Sequence, residues 1–416
     1  MFPLATPTTD LTRVPPVWVL AVPWLIWGMM GGFIVVPLPQ MLVAQGVPGD
    51  RAAIAVAIIL SPMCWSFLLA PILDVRFRRR TYALVFGVIG VSAAVTTVLY
   101  HAVLGEVEAL MLVGFLSTCL FQSAFGGWAG SLIGKGQDGA LGAWSSIYNV
   151  GGGGVGILIC DYVLQHFPRT GAAALIFAVF LAPMAVFPII PAPPASKILA
   201  AASFNRFARE VVSLFKRGEV LVALALFALP SASFALTNAL GAWSAGFHAP
   251  PSLVSLIGGF GIILGSIAGC ALVPLLARRI ALRPLYLSIG LVGAAFTAGL
   301  LLAPRVPWAF GLAFVGENFF QSAAVAACMA IIFEVIGPAN PLAATTFAVL
   351  AAAESLPVDY MELIDARGYH SYGITGAFLA DALISGSVCV LLAIALGFKS
   401  RNRHGSCAPR ATGTSP

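Results

Sequence analysis

Four polar side chains that could bind a solute or an ion lie in apolar stretches of the second half of the chain. Glu317, Asn318 and Gln321 interrupt one such stretch, and Glu354 interrupts another. Amide and carboxyl groups can hold a hydrogen-bonding solute, and a carboxyl group removed from water holds its proton more tightly. The set therefore predicts a substrate or coupling-ion site, and the alternative is a group of structural contacts between helices.

Further polar residues extend or border this predicted site. Gln122 in the first half and Asn238 in the second complete the predicted substrate or coupling-ion set. Asp359 and Glu362 lie nearer a helix end, where side chains commonly reach out to water. For Asp381, in the last apolar stretch, we favour a structural partner over a functional role.

The amino-acid composition indicates whether these residues lie in a soluble protein or in a membrane protein. Hydrophobic residues make up 60% of the 416 residues and charged residues only 9%, against roughly 25% charged in soluble domains. The chain is therefore predicted to be an integral membrane protein. Its seven cysteines occur singly, without the spacing of a metal site or a disulfide framework. We expect no cofactor, no metal and no nucleic-acid partner.

Twelve apolar stretches are long enough to cross a bilayer, which takes about 20 residues each. The sequence predicts an all-α membrane protein with an N-terminal six-helix bundle in 1–192 and a C-terminal six-helix bundle in 220–400. Between them lies a basic amphipathic linker, 193–219, and a disordered tail follows in 401–416. The predicted spans are 17–42, 52–73, 81–104, 109–133, 140–164, 171–191, 220–244, 252–277, 283–303, 307–336, 342–364 and 373–398.

The distribution of positive charge among the loops supports this count. With both termini in the cytoplasm, 18 of the 22 Lys and Arg residues fall on the cytoplasmic side, where such residues concentrate. Only Arg51, Arg169, Arg305 and Arg367 fall on the other side. The sequence therefore predicts a multi-pass protein with both termini and the linker in the cytoplasm.

The predicted spans also set the depth of the two central glutamates. Helix ten enters near Pro307, which puts Glu317 about 15 Å deep at 1.5 Å per residue. Helix eleven enters near Leu342 from the opposite surface, which puts Glu354 about 18 Å deep. We therefore expect both carboxyl groups close to the membrane midplane, where ionisable groups are costly and usually functional.

The two halves of the sequence resemble each other. The tetrapeptide FQSA begins at Phe121 in the fourth span and again at Phe320 in the tenth. Pro71 precedes a basic loop, and Pro274 precedes another at the equivalent point of the second half. The order of these matches favours a duplicated six-helix unit. Two parallel repeats related by an axis along the membrane normal are the layout of the major facilitator transporters.

A family resemblance rests on the loop after the second span and on the tenth and eleventh spans. The loop reads APILD at 70–74, followed by Arg78, Arg79 and Arg80, and resembles the signature loop of the major facilitator superfamily. That loop, GEN at 316–318 and TTFAVL at 345–350 are more narrowly similar to muropeptide permeases of the AmpG type and to acetyl-CoA and siderophore carriers.

This resemblance implies a role for the loop and for the whole chain. Asp74 would cap a neighbouring helix or pair with the arginines when the cytoplasmic side closes; a plain charge cluster attracted by anionic lipid is the alternative. The chain would be a secondary transporter of the bacterial inner membrane, monomeric and without enzymatic activity. Its expected partners are a small solute, membrane lipid and protons.

Several candidate substrates and two other functions stay open. A muropeptide, a siderophore or a CoA ester fits the resemblance. A non-transporting membrane scaffold is the main alternative, and a membrane-embedded transferase is a weaker one because the five histidines fall in loops or at helix ends. The run 151–156, GGGGVG, lacks the Lys-Ser/Thr of a phosphate loop and instead predicts close helix packing.

Overall fold

The structure is a computed structural model that describes most of the chain. The described residues are 14–75, 77–100, 103–134, 136–191, 212–241, 243–338 and 340–405. Every regular element within these ranges is helical. The predicted linker, 193–219, lies largely outside the described residues, and so does the predicted tail beyond Gly405, the residue at which the last helix ends.

The first half contains six helical segments that match the six predicted spans. They are α1, Val17–Ala44 with breaks at 22–23 and 36; α2, Gly49–Leu60, continued by Pro62–Trp65 and by 3-10 turns to Asp74; α3, Arg79–Leu99; α4, Leu104–Gly130; α5, Asp138–His166; and α6, Arg169–Leu181, continued by a 3-10 segment, Ala182–Ile189.

The second half repeats this arrangement. Its segments are α7, Gly218–Ala228, followed after a break by Leu236–Ala239; α8, Pro251–Leu256, a π-helical turn Ile257–Gly261 and Ile262–Leu276; α9, Leu282–Leu300; α10, Pro307–Ile336; α11, 343–371; and α12, 374–405. Helices α11 and α12 follow each other directly, since only Tyr372 and Gly373 have non-helical backbone angles between them.

The seventh and eleventh predicted spans differ from the helices that form. The seventh was predicted to run without interruption from 220 to 244, but α7 stops at Ala228 because Pro230 has no amide hydrogen and clashes with a preceding helical turn. Phe234, within the break, has a positive φ of 49°. The eleventh was predicted to end at 364, but α11 continues for two further turns to Gly373, whose φ of 63° ends it.

The helices have the length and composition of membrane spans. Within the described ranges, eight helices are long and apolar enough to cross a bilayer. The last of these, Ala343–Gly397, is long enough to cross twice, and three shorter apolar helices occur at Ile54–Leu68, Gly218–Ala228 and Ile262–Leu276. The chain is therefore a multi-pass membrane protein.

The two halves pack tightly on each other at the end of the bundle where α11 begins. A Cβ atom built on Gly127 in α4 would lie 2.5 Å from the backbone nitrogen of Ala344 in α11. One built on Gly142 in α5 would lie 2.5 Å from the carbonyl oxygen of Ala326 in α10. Only glycine leaves room for backbones this close, so these contacts fix how near the halves approach.

Candidate functional site

A cavity of about 270 Å³ lies between the two halves. Helices α4 and α5 line one side with amides and hydroxyls, including Gln122, Ser146 and Asn149. Helices α10 and α11 line the other side, including Gln321 and Glu354. A larger hollow, of about 630 Å³, lies between α1 and α2, but its lining is almost wholly apolar. The cavity between the halves therefore offers hydrogen-bonding groups that this larger hollow lacks.

The charge of this cavity is set by a single side chain. Among the described residues that line it, Glu354 is the only acid, and none is a lysine, arginine or histidine. Glu354 is half-buried, and its neighbour Ser355 also lines the cavity. The cavity therefore presents neutral hydrogen-bonding groups and one carboxyl group, which suits a neutral or positively charged solute.

The predicted site residues divide between this cavity and other locations. Gln122, Gln321 and Glu354 line the cavity together. Glu317 is fully buried and does not line it; its Oε1 lies 2.6 Å from the hydroxyl of Thr297 in α9. The four-residue spacing of Glu317 and Gln321 puts them on one helix face but a full turn apart, so only Gln321 reaches the cavity.

The two remaining predicted amides bond within their own half. Asn318 is buried and donates a hydrogen bond to the carbonyl oxygen of Phe314, 2.8 Å away. Asn238 follows the break in α7 and donates to a carboxyl oxygen of Glu362 in α11. Neither side chain lines the cavity between the halves. These contacts are structural, and the roles of both residues in binding stay predictions.

Asp74 joins the two halves at the end of the bundle where α11 begins. It is buried, and its oxygens accept hydrogen bonds from the backbone N–H groups of Ala344, at 3.2 Å, and Thr345, at 2.8 Å. The hydroxyl of Thr345 donates a third, at 2.7 Å. A helix N-terminus leaves such N–H groups unpaired and carries partial positive charge, so it stabilises a carboxylate. Asp74 thus caps α11 across the interface between the halves.

One of the three predicted gating arginines completes this contact. Arg79 donates through Nε to Asp74, 2.9 Å away, and through Nη2 to the carbonyl oxygens of Asn340 and Pro341 in the loop before α11. Arg78 is exposed and Arg80 is half-buried. Among the described residues, Arg79 is the arginine that pairs with Asp74. We call Asp74, Arg79, Ala344 and Thr345 the first junction.

The similarity between the two halves of the sequence indicates a second position equivalent to this junction. Asp74 follows Pro71 by three residues, and Ala277 follows Pro274 by three. Ala277 lies at the end of α8, beside Gly139 in the first turn of α5: a Cβ atom built on Gly139 would lie 3.2 Å from that of Ala277. We call Ala277 and Gly139 the second junction. The contact between these two residues is apolar.

The structure adds residues that the sequence did not single out. Ser146 and Ser355 line the cavity, but nothing in their spacing marks them, because serine is common in membrane helices. Asp365 is buried in α11 with both carboxyl oxygens unpartnered. It was not singled out because the eleventh span was predicted to end one residue before it.

Comparison with known proteins identifies the fold. The sequence matches no family model and no curated protein. Among solved structures, it is similar to the human organic anion transporter MFSD10 (17% identity, TM-score 0.66, covering 92% of this chain and 100% of that one). It is also similar to the E. coli fucose:proton symporter FucP (11%, 0.68, 91% and 98%). The proton:xylose symporter XylE matches as well (15%, 0.64, 91% and 94%).

These likenesses cover nearly the whole of each protein, although few residues are identical. Such similarity across all the helices, at low identity, is evidence about architecture. The chain has the fold of the major facilitator transporters.

Proposed function

We propose that the protein is a secondary transporter that moves a small hydrogen-bonding solute across the bacterial inner membrane by alternating access. The observation that carries this proposal is a cavity lined from both halves, because alternating access arises when two halves rock around a site that lies between them. The first junction closes one end of the interface between the halves. Because the arginine-rich loops lie at that end, it is the cytoplasmic end.

The solute is a neutral or positively charged compound with several hydrogen-bonding groups. Support comes from the lining, which offers Gln122, Asn149 and Gln321 as amides and Glu354 as the acid. Further support comes from the volume of about 270 Å³, which is below the ~300–1,000 Å³ of pockets for drug-sized ligands. In this state the cavity is too small for a muropeptide or a CoA ester, so the narrower family resemblance stays a prediction.

A thermal-shift screen on the purified protein tests this proposal. We expect stabilisation by small polyols, amino sugars or amine-bearing solutes, and none by CoA esters or anionic siderophores. Gln122→Leu and Gln321→Leu should each remove the shift, whereas Gln40→Leu, in the apolar hollow between α1 and α2, should keep it. Stabilisation by the large or anionic compounds alone would overturn the assigned solute class.

Proteoliposomes then separate transport from binding. A solute that stabilises the protein should be taken up and should exchange with internal solute at a rate that saturates. Glu354→Gln removes the one acid among the described residues that line the cavity: it should abolish uptake of a cationic solute and leave that of a neutral one. Binding without any uptake or exchange would favour a non-transporting membrane scaffold.

A further inference from the structure

Three buried carboxyl groups lie within electrostatic reach of one another inside the C-terminal half, and none of them lines the cavity. Glu317 in α10 is 0% exposed, Asp365 in α11 is 1% exposed and Asp381 in α12 is 2% exposed. The carboxyl groups of Asp365 and Asp381 are close enough to Glu317, and to each other, to repel as anions. Within the described ranges, none of the three pairs with a lysine, arginine or histidine. We call these three residues the carboxyl cluster.

Much of the hydrogen-bonding capacity of this cluster is unused. Oε2 of Glu317, both oxygens of Asp365 and Oδ1 of Asp381 are buried without a partner. The hydroxyl of Ser385, which is 5% exposed, is also unpartnered and lies one helical turn from Asp381 on the same face of α12. Buried polar groups are normally hydrogen-bonded, and an isolated carboxylate out of water binds a proton in preference to staying charged.

The hydroxyl of Thr297 is placed where it can accept a hydrogen bond from a protonated Glu317. The hydroxyl of Thr297 lies 3.1 Å from the carbonyl oxygen of Gly293 and 2.6 Å from Oε1 of Glu317. A hydroxyl has a single hydrogen to donate, and a backbone carbonyl can only accept. If Thr297 donates to Gly293, as threonine often does within its own helix, the short contact needs a hydrogen on Glu317.

The surroundings of the cluster favour a proton over a metal ion. Among the described residues, no group of three or more His, Cys, Asp or Glu is arranged to hold a metal. A fourth carboxyl group, that of Glu362, lies close enough to Asp365 to repel it and also accepts a hydrogen bond from Asn238. Arg305 lies over the rings of Phe247 and Phe378 and donates to Thr375.

We propose that Glu317, Asp365 and Asp381 form a proton-binding cluster inside the C-terminal half, separate from the solute cavity, whose protonation depends on which side of the membrane the carrier faces. This inference rests on the proposed transport function and identifies its coupling ion. It moves proton binding away from Glu354, which lines the cavity, and gives Asp381 a functional role where the sequence favoured a structural one.

Infrared spectroscopy of the protein in nanodiscs tests proton binding without any solute. In a Glu354→Gln background, we expect a protonated-carboxyl band at neutral pH that shifts in deuterium oxide. Glu317→Gln, Asp365→Asn and Asp381→Asn should each remove part of the band, whereas Asp161→Asn, at an exposed site in α5, should leave it unchanged. A background protein with no such band overturns the proposal even if a cluster variant fails to fold, and so does a band that all three folded variants retain.

A pH titration of the same band tests the link to the access state. Asp74→Asn breaks the first junction, which lies far from the cluster, and should shift the midpoint by about one pH unit, the tenfold change in affinity that a typical coupling between sites produces. An unchanged midpoint overturns the link. Because neither experiment uses a solute, a normal band in a protein that transports nothing would instead refute the proposed function.

Discussion

The two junctions between the halves occupy equivalent positions but use different chemistry. At the first, the buried carboxylate of Asp74 accepts three hydrogen bonds from the start of α11 and pairs with Arg79. At the second, the methyl group of Ala277 faces Gly139 at the start of α5. Packing against a helix N-terminus thus recurs in the two halves, and among the residues of the two junctions the charge is present at the first only.

This difference indicates which junction stabilises the closed state relative to the open one. The contact between Ala277 and Gly139 loses little when the halves separate, because it buries about one methyl group, worth about 0.8 kcal/mol. A buried carboxylate that loses its donors must find water or new partners, so its contacts distinguish the two access states strongly. Only such a difference between states can shift their populations. The first junction should therefore control the transition, and the second should follow it.

The largest loss of transport is expected when the carboxylate of Asp74 is removed. Asp74→Asn removes the charge that pairs with Arg79 and with the N-terminus of α11, and breaking a buried pair costs about 3 kcal/mol. The closed state should lose population by roughly a hundredfold, and transport should fall to near background. Uptake in proteoliposomes, normalised to protein, measures this effect. Asp161→Asn is the control, and equal rates for the two variants would refute the role of Asp74.

Steric contact between the halves gives the next largest effect. Gly142→Ala puts a Cβ atom 2.5 Å from the carbonyl oxygen of Ala326, and overpacking of this kind costs about 2 kcal/mol. Transport should fall while the N-terminal half stays folded. In the same helix, a Cβ on Gly151 meets nothing within 4 Å, so Gly151→Ala should transport normally. Transport and thermal unfolding together check the pair, and wild-type uptake by Gly142→Ala would contradict the tight contact.

Substitutions of Arg79 and Arg78 should have very different effects on transport. Arg79→Ala removes the partner of Asp74 and two hydrogen bonds to the loop before α11, which are worth about 1.5 kcal/mol for a charged donor. We expect transport to fall roughly tenfold. Arg78 is exposed, so Arg78→Ala should change transport by less than twofold, about the 0.5 kcal/mol typical of surface changes. Similar losses in the two variants would favour attraction to anionic lipid over a specific gate.

The smallest effect is expected at the second junction. Gly139→Ala adds a methyl group 3.2 Å from that of Ala277. The helix gains about 0.5–1 kcal/mol from replacing glycine, which offsets the tight contact, so the transport rate should change by less than about threefold. Adding Ala277→Gly should restore the wild-type rate. A loss as large as that of Asp74→Asn would show that both junctions control the transition.

The sequence predicted the depth of residues in the membrane better than the side of the helix on which each residue lies. Apolar length and loop charge located the spans, and the proline, aspartate and arginines at 71–80 marked the loop that forms the first junction. Depth alone could not separate Glu354, which reaches the cavity, from Glu317, which does not. That distinction depends on which neighbouring helix each face meets, and hydrophobicity does not reveal it because apolar residues surround both glutamates on every side of their helices.

Asp365 shows a second limit of the sequence. It lies one residue beyond the predicted end of the eleventh span and was therefore not considered, but α11 continues for two more turns and buries it. The break in α7 was missed for a related reason. Pro230 lies in a run that is apolar enough for a span, and the cost of proline in a helix was outweighed in that prediction by hydrophobicity.

The most direct test of the gating account measures the distance across the first junction. Spin labels at Arg78→Cys and Pro338→Cys, both exposed positions, would report this distance by pulsed electron paramagnetic resonance in nanodiscs. The labels are introduced in a variant without the native cysteines. We predict a short-distance population that Asp74→Asn converts largely into a longer one, whereas Asp161→Asn leaves it unchanged. An identical distance distribution with and without the Asp74 carboxylate would contradict the claim that this contact closes the cytoplasmic side.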